Sequence, residues 1–259
     1  MSVRPDQSIF RFLVAVAAVL LVAAVLAIGL TVWWLRADAI DDATMDSDHL
    51  AIVLAEQTNR AVQSIDLILD EIQGRIENLG ARTQDNFGHL QQDKTTYHSL
   101  TDSLSHLSQA ALIALIDKNG QVVVTTQKWP TPPIDLTNRD YFQHSKNNDD
   151  RGVYVGIPVA DHTTGLETIF FSKRINDSNN AFLGIIVVGV RLSYFQHIYN
   201  SIASFPDQLF LLVRNDGTVI VRYPDSTSRA GEKIAAESPW YRMVLQGGGH
   251  FRSPSHFDG

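Results

Sequence analysis

The sequence contains no cysteine in its 259 residues, so no disulfide bond can hold the fold together. That absence suits a compartment outside the cytoplasm, where an unpaired thiol would oxidise, although cysteine-free chains are also common by chance. Basic residues are scarce as well, with 21 Lys and Arg against 28 Asp and Glu, for a net charge of -7. Without a basic cluster the chain offers no electrostatic footprint for a phosphate backbone, and we exclude nucleic acid as a partner.

The motifs of the common catalytic and metal sites are also missing. There is no Gly-x-Ser-x-Gly elbow, no His-Glu-x-x-His site and no Walker loop, because Gly247-Gly248-Gly249 is not followed by Lys-Ser or Lys-Thr. The histidines are scattered, and His98 and His106 are about two helical turns apart rather than one. We therefore predict no catalytic residue, no metal ligand and no cofactor in this chain.

What the sequence does have is one long apolar run over residues 12–35. Its length of about 24 residues gives roughly 36 Å of helix, which is enough to cross a bilayer. Arg4 and Arg11 precede the run, whereas several aspartates follow Arg36 on the other side. The positive-inside rule then places residues 1–11 in the cytoplasm and the rest of the chain outside it, on the far side of the membrane.

A cleaved signal peptide is the alternative interpretation of this run. Ala37-Asp38-Ala39 resembles the small-x-small site that a signal peptidase accepts. The run is longer than the apolar part of a signal peptide, which is typically about 7 to 15 residues, and this favours a retained transmembrane helix.

Residues 36–109 have a helical pattern. Apolar residues recur at spacings of three and four, the period of one helix face. They include Leu50, Leu54, Ala61, Ile65, Ile68, Ile72 and Ile76. Gly80 and the stretch 85–88 interrupt the pattern before a second helical segment from Leu90 to Leu107. We predict a long stalk helix and a second helix, whose apolar faces pack in a core.

Beyond residue 109 the period becomes that of β-strands. The strand-like runs are 111–116, 121–126, 152–158, 168–175 and 182–192. The first two are joined by Asp117-Lys118-Asn119-Gly120, whose Asn-Gly supplies the positive φ values of a tight hairpin turn. Strands that follow one another in sequence favour an antiparallel sheet. We predict a lobe over 110–192 and a connecting helix within 193–208.

Part of this pattern returns about 97 residues later. Segment 115–124 is matched, hairpin for hairpin, by segment 212–221, and the pair Tyr141-Phe142 is matched by Trp240-Tyr241. Two lobes built on one plan are the simplest account, with the second lobe over 209–259. Because the sequence reaches Gly259 before the last strands of such a lobe, we expect the second lobe to be truncated.

Together these features resemble a double Cache sensor domain. The resemblance covers residues 36–259 and rests on the long helix, the two hairpins, the run Asn138-Arg139-Asp140-Tyr141-Phe142 and the strand 184–190. It implies an α+β fold of two PAS-like antiparallel-sheet lobes, with a small-molecule pocket in the membrane-distal first lobe. It also implies a periplasmic sensor that forms a homodimer and belongs to a longer receptor, in which a histidine kinase, diguanylate cyclase or methyl-accepting module follows a second membrane span.

The segment 129–161 supplies the apolar walls and converging polar groups that a site for a small solute needs. Arg139 is the first candidate, because a guanidinium can hold a carboxylate through two parallel hydrogen bonds. The alternative is that Arg139 forms a surface ion pair with Asp140 or Asp135, worth at most about 1 kcal/mol.

Five further candidates follow from the resemblance and from their residue types. Tyr141, Phe142 and Tyr154 would form aromatic walls that exclude water, although Phe142 fits core filling equally well. Trp129 would close the pocket as a lid or cover the edge of the core. Asp161 is expected in a hairpin turn, where aspartate bonds its own backbone, with a ligand contact as the alternative.

The residue after Val190 bears on the ligand. In relatives that bind free amino acids, the resemblance implies an aspartate there that holds the ligand ammonium, whereas this chain has Arg191. A cation would repel an ammonium, which favours an organic acid, for example a dicarboxylate, over an α-amino acid. A slip of one residue along the strand would instead turn Arg191 to solvent.

Two functions from different classes remain. One is a sensing module that binds a small organic acid or amino-acid-like ligand in the first lobe and signals across the membrane. The other is a membrane-tethered structural or interaction protein that keeps the fold without a ligand. A pocket beside Arg139 with room for a small acid would favour the first.

Overall fold

A computed structural model describes residues 7–78, 83–202, 209–224, 230–249 and 251. The chain divides into two compact units, residues 1–53 and 54–259. The described part of the first unit is helical and belongs to α1, which runs over Gln7–Asn78. Among the described residues, α1 is the one helix that is long and apolar enough to cross a membrane, judged by length and composition.

The second unit combines helices with antiparallel strands, as an α+β fold requires. After α1 come α2 (Gln84–His89), a 3-10 turn (Leu90–Gln92), α3 (Lys94–Ser105), β1 (Ala110–Asp117), β2 (Val122–Thr125), α4 (Asp140–Asn147), β3 (Tyr154–Val155), β4 (Val159–Ala160), β5 (Glu167–Asn176), β6 (Phe182–Arg191), α5 (Leu192–Ile202), β7 (Phe210–Val213), β8 (Val219–Tyr223) and α6 (Trp240–Leu245). We call β1 to β6 with α4 the first lobe, and β7, β8 and α6 the second lobe.

The first-lobe sheet has the strand order β2-β1-β6-β5-β3, with β4 also pairing with β5, and every pair is antiparallel. The strands expected over 111–116, 121–126, 168–175 and 182–192 are confirmed within one or two residues. The run 152–158 is wrong as one strand, because only Tyr154 and Val155 pair with β5 as β3, and the chain leaves the ladder after them. The Ile157 N–H donates to the Asp140 carboxylate, and Pro158 has no N–H to donate.

The apolar face of α1 packs in the core of the second unit, as the spacing predicts. Leu54, Ala61, Ile65, Leu69, Ile72 and Ile76 are buried. The interruption expected over 85–88 is wrong, because these residues lie in the short helix α2, which the fully buried Phe87 fixes in the core. Gly80 lies outside the described residues.

The two hairpins repeat each other in detail, which confirms the internal repeat. The β1-β2 ladder shifts register between Leu115 and Ile116, and the β7-β8 ladder shifts between Leu212 and Val213. Both turns place glycine at φ +84°, at Gly120 and Gly217. Asn119 keeps a negative φ, so the expectation that both turn residues take positive φ is wrong; a turn with one left-handed glycine needs a β-bulge, which the register shift shows.

The second lobe is described in part. Its described strands are β7 and β8, which form a two-stranded sheet, and α6 follows as the counterpart of α4. The expectation that this lobe is truncated stays a prediction, because residues 225–229, 250 and 252–259 of the lobe lie outside the described residues.

The first-lobe sheet is covered on both faces, and strands covered on both faces read as continuous apolar runs. One face joins α1, α3 and α5 in a core that includes Ile169 and Phe171 of β5. The other face packs on α4 through Tyr141, Phe142 and Phe170. Successive side chains of a strand point to opposite faces, so β5 belongs to both cores.

Candidate ligand-binding site

A pocket opens on the α4 face of the first-lobe sheet. Its apolar lining is Leu112, Ala114, Val122, Ile134, Leu136, Phe170 and Val187, and its polar lining is Thr125, Gln127, Arg139, Tyr141, Asp161, His162 and Thr163. The strands supply the floor, while the start of α4 and the turn between β4 and β5 supply most of the polar groups. The structure therefore brings together Arg139, Tyr141 and Asp161 of the predicted candidates.

Arg139 is the residue immediately before α4, with extended backbone at φ -79° and ψ 138°. Its Nη2 donates to the Ala160 carbonyl at 3.1 Å, which holds the half-buried guanidinium beside the β4-β5 turn. Within the described residues it forms no ion pair with Asp135 or Asp140. Instead, the Asp135 carboxylate accepts the Thr137 N–H at 2.9 Å, and the Asp140 carboxylate accepts the Ile157 N–H at 2.8 Å.

Tyr141 lies on the first turn of α4 and is fully buried against Phe170, with ring centroids 5.0 Å apart. Its hydroxyl has no hydrogen-bond partner among the described residues. Burial raises the pKa of this phenol well above its usual range, so the group stays a neutral donor. A buried hydroxyl without a partner costs about 1 to 3 kcal/mol, and a ligand oxygen at this wall would remove that cost.

Asp161 supplies the negative charge of the pocket and is only 7% exposed. It starts the turn between β4 and β5, where its Oδ2 accepts from the Thr164 N–H at 2.9 Å and the Thr164 hydroxyl at 2.7 Å. The Gln127 side chain donates to the same oxygen at 2.8 Å. The carboxylate is therefore both a turn residue and a pocket residue, two roles that the sequence left as alternatives.

The pocket is tight. It contains about 380 Å³ of space outside the atoms, including its open mouth. His162 and Thr163 form an exposed part of the rim. A pocket of this volume favours a small solute.

The other predicted candidates lie elsewhere. Phe142 is fully buried in the core and packs on Phe182, as its core-filling interpretation expected. Trp129 packs against Tyr97 of α3, with ring centroids 5.4 Å apart. Tyr154 stacks on His144, with ring centroids 3.9 Å apart. Arg191 is exposed at the end of β6 and is not part of the pocket lining.

Sequence reasoning missed the strand residues of the pocket and its polar groups Thr125, Gln127, His162 and Thr163. Thr125 and Gln127 are two residues apart, so alternation would have placed both on one face of the sheet. His162 and Thr163 follow Asp161 directly. No group of three or more His, Cys, Asp or Glu among the described residues could hold a metal ion.

The pocket of the first lobe thus lies between the strands of an antiparallel sheet, the start of α4 and the β4-β5 turn. The family model of the Cache domain matches residues 37–250, and the chain belongs to the Cache domain family. A search of curated proteins gave no match.

Solved structures share the fold. The extracellular domain of rpHK1S-Z16, described as a histidine kinase, is 23% identical with a TM-score of 0.67, over 82% of this chain and 83% of that chain. The sensory domain of the Campylobacter jejuni chemoreceptor Tlp3 with isoleucine bound is 18% identical with a TM-score of 0.51, over 68% of this chain and 69% of that chain. The ligand-binding domain of Tlp3 in complex with L-valine is 16% identical with a TM-score of 0.52, over 76% of this chain and 77% of that chain. These similar structures are the extracellular domain of a histidine kinase and the sensory, ligand-binding domain of a chemoreceptor.

Proposed function

We propose that this chain is the periplasmic sensing module of a membrane-bound receptor and that it binds a small carboxylate-bearing solute in the first-lobe pocket. The observation that supports this most is that Arg139, Tyr141 and the buried carboxylate of Asp161 line one pocket, and that the Tyr141 hydroxyl has no partner within the part of the chain that the structure describes. A structural protein that kept the fold without a ligand would gain nothing from the cost of that buried hydroxyl.

The charges in the pocket favour a zwitterion. Arg139 suits a carboxylate, and Asp161 suits an ammonium group of the same small molecule. The expected repulsion from Arg191 does not apply, because that side chain is exposed outside the pocket. The apolar lining matches a hydrocarbon side group, and the similar Tlp3 domain has been solved with isoleucine bound. We therefore favour an amino-acid-like ligand over a dicarboxylate.

The proposal extends to the rest of the receptor. Residues 12–35 would cross the inner membrane, and two copies would pair as a homodimer. Ligand binding would be passed across the membrane to a histidine kinase, diguanylate cyclase or methyl-accepting module. The membrane-length helix and the receptor domains among the similar structures support this arrangement.

Calorimetry on the full chain in nanodiscs would test the ligand class with four probes. L-Isoleucine carries both charges, 3-methylpentanoate lacks the ammonium, 2-methylbutylamine lacks the carboxylate, and succinate carries two carboxylates. We expect L-isoleucine to bind most tightly. Arg139→Ala should weaken its binding about a hundredfold, because a charge-assisted bidentate contact is worth roughly 3 kcal/mol.

Arg191→Ala is the matched control, since it removes an exposed arginine of the same lobe. Equal losses in the Arg139 and Arg191 variants would contradict the assignment of the pocket. Tighter binding of succinate would restore the dicarboxylate hypothesis. Binding of none of the four probes would favour the structural protein.

A further inference from the structure

Arg214 of the second lobe reaches into the first lobe. Its Nη1 donates to the Tyr154 hydroxyl at 2.9 Å and to the Val155 carbonyl at 2.8 Å. The same nitrogen lies 4.0 Å from Oδ2 of Asp140, and the guanidinium lies over the Tyr154 ring at 5.3 Å from its centroid. The Arg214 side chain is 22% exposed, so these bonds are largely shielded from water. One side chain thus joins the second hairpin to the first lobe.

The internal repeat shows that the turn itself does not need this arginine. Arg214 occupies the position that Asp117 has in the first hairpin, where the aspartate accepts the N–H groups of Asn119 and Gln121, each at 2.9 Å. In the second hairpin Asp216 takes over the turn by accepting the Thr218 N–H at 3.1 Å. The equivalent turn therefore forms with the opposite charge at this position. The arginine has a role outside the turn.

Asp216 also fixes the direction of the guanidinium. It accepts from Nε and Nη2 of Arg214, both at 2.9 Å, in a bidentate pair. This pair holds the pKa of Asp216 well below its usual range. With two of its nitrogens held by Asp216, Arg214 presents Nη1 to the first lobe in one geometry.

The first-lobe end of this contact adjoins the pocket. Asp140 stands between Arg139 and Tyr141 in the chain and starts α4. Its Oδ2 accepts the Ile157 N–H at 2.8 Å and the Tyr154 hydroxyl at 3.2 Å. The tyrosine hydroxyl therefore donates to Asp140 while it accepts from Arg214. The start of α4, with Arg139 just before it and Tyr141 in its first turn, is fixed through this chain of hydrogen bonds.

We propose that Arg214 is a positioning residue for the first-lobe pocket, acting through Tyr154 and Asp140 on the start of α4. This inference rests on the proposed function. Its consequence is that the second lobe contributes to ligand affinity without touching the ligand. Because coupling between two sites is reciprocal, ligand binding at Arg139 and Tyr141 strengthens the docking of the second hairpin.

The test compares Arg214→Met with Arg242→Met in the full chain in nanodiscs. Arg242 is an exposed arginine of α6 in the same lobe, so its replacement makes the same chemical change away from the contact. With L-isoleucine as the probe, we expect Arg214→Met to raise Kd about tenfold, within the usual range of coupling between sites, and Arg242→Met to leave it unchanged. Asp140→Asn should have a similar effect, and the double variant should be little worse than either single one.

Hydrogen exchange without ligand provides a second measurement. The amide of Ile157, which donates to Asp140, and the amides of α4 should exchange faster in Arg214→Met than in Arg242→Met. Unchanged exchange would overturn the proposal whether or not L-isoleucine binds. Faster exchange with an unchanged Kd would show a structural contact alone, and would also overturn it. Failure of the unaltered chain to bind any of the four probes would count against the proposed function, and exchange would then decide the positioning role.

Discussion

Two tyrosine hydroxyls of the first lobe are satisfied in opposite ways. That of Tyr141 is buried without a partner among the described residues. That of Tyr154 donates to Asp140 and accepts from Arg214. Burial raises the pKa of both phenols, so both are neutral at physiological pH. Loss of the hydroxyl should therefore affect stability differently at the two positions.

Tyr141→Phe should leave the free energy of unfolding unchanged or raise it by up to about 1 kcal/mol. The change removes a buried hydroxyl that has no hydrogen-bond partner among the described residues. The same change should weaken L-isoleucine binding about tenfold, the loss of one hydrogen bond. Thermal unfolding and calorimetry on the full chain would measure the two effects.

Tyr154→Phe is the matched control, and it should lower stability by about 1 kcal/mol because Asp140 and Arg214 each lose a partner. If Tyr141→Phe destabilised the protein as much as Tyr154→Phe, its hydroxyl would have a structural partner and the ligand role would be lost.

At the residue scale, sequence reasoning could find the groups that are close in the chain. Arg139 and Tyr141 were found because they flank Asp140 in one short run, and Asp161 because turn aspartates have a known chemistry. Tyr154 is proposed as a pocket wall because it is an aromatic residue near Arg139 in the sequence. Its observed partner Arg214 lies far along the chain, where no local pattern reveals a contact. Arg191 was assigned by its position in a strand, and one residue decides which face a strand residue takes.

The hairpin turn between β1 and β2 has a strict sequence requirement at Gly120. Gly120 has φ +84°, and a Cβ there would lie 2.9 Å from the backbone nitrogen of Thr137. Gly165, in the β4-β5 turn, has φ +69° with nothing within 4 Å of a Cβ. The two glycines share the backbone strain that an added side chain would meet, but only the first has a backbone neighbour that cannot move aside.

Gly165→Ala should cost about 1 kcal/mol of stability, the ordinary cost of a left-handed residue with a side chain. Gly120→Ala should cost about 2 to 4 kcal/mol, because contact with the Thr137 backbone adds overpacking to that strain. Denaturant titration of the two variants would measure the difference. Equal costs would mean that the segment around Thr137 gives way without loss.

At the element scale, the sequence predicts what local periodicity controls. Strands β5 and β6 and the buried face of α1 follow from apolar patterns that run for ten residues or more. The short strands β3 and β4 do not, because a hydrogen bond from Ile157 to Asp140 takes the chain out of the ladder between them. Helix α4 was not predicted as a helix, since its eight residues show too little periodicity.

For the whole molecule, the orientation of the chain is the property that remains to be measured. We expect a phosphatase reporter fused after residue 45 to be active in the periplasm and to migrate at full length, because the run 12–35 exceeds the apolar part of a signal peptide. A fusion after residue 11 is the control and should be inactive. A soluble, shortened product cut after Ala39 would show a cleaved signal and remove the membrane anchor from the proposal.

Strand β5 has a mechanical consequence under the proposed function. Phe170 lines the pocket, while its neighbours Ile169 and Phe171 belong to the core that α1 shares, and Lys173 of the same strand is paired with Asp66 and Asp70 of α1. A strand with side chains packed on both faces cannot yield on one side alone, because protein interiors are close-packed and transmit displacement. A solute that displaced Phe170 would therefore also displace the adjacent residues Ile169 and Phe171, which pack in the core with α1. At Phe170, only the strand β5 separates the pocket from the core that contains α1, so ligand binding in the pocket would need to be transmitted through one strand to move that helix.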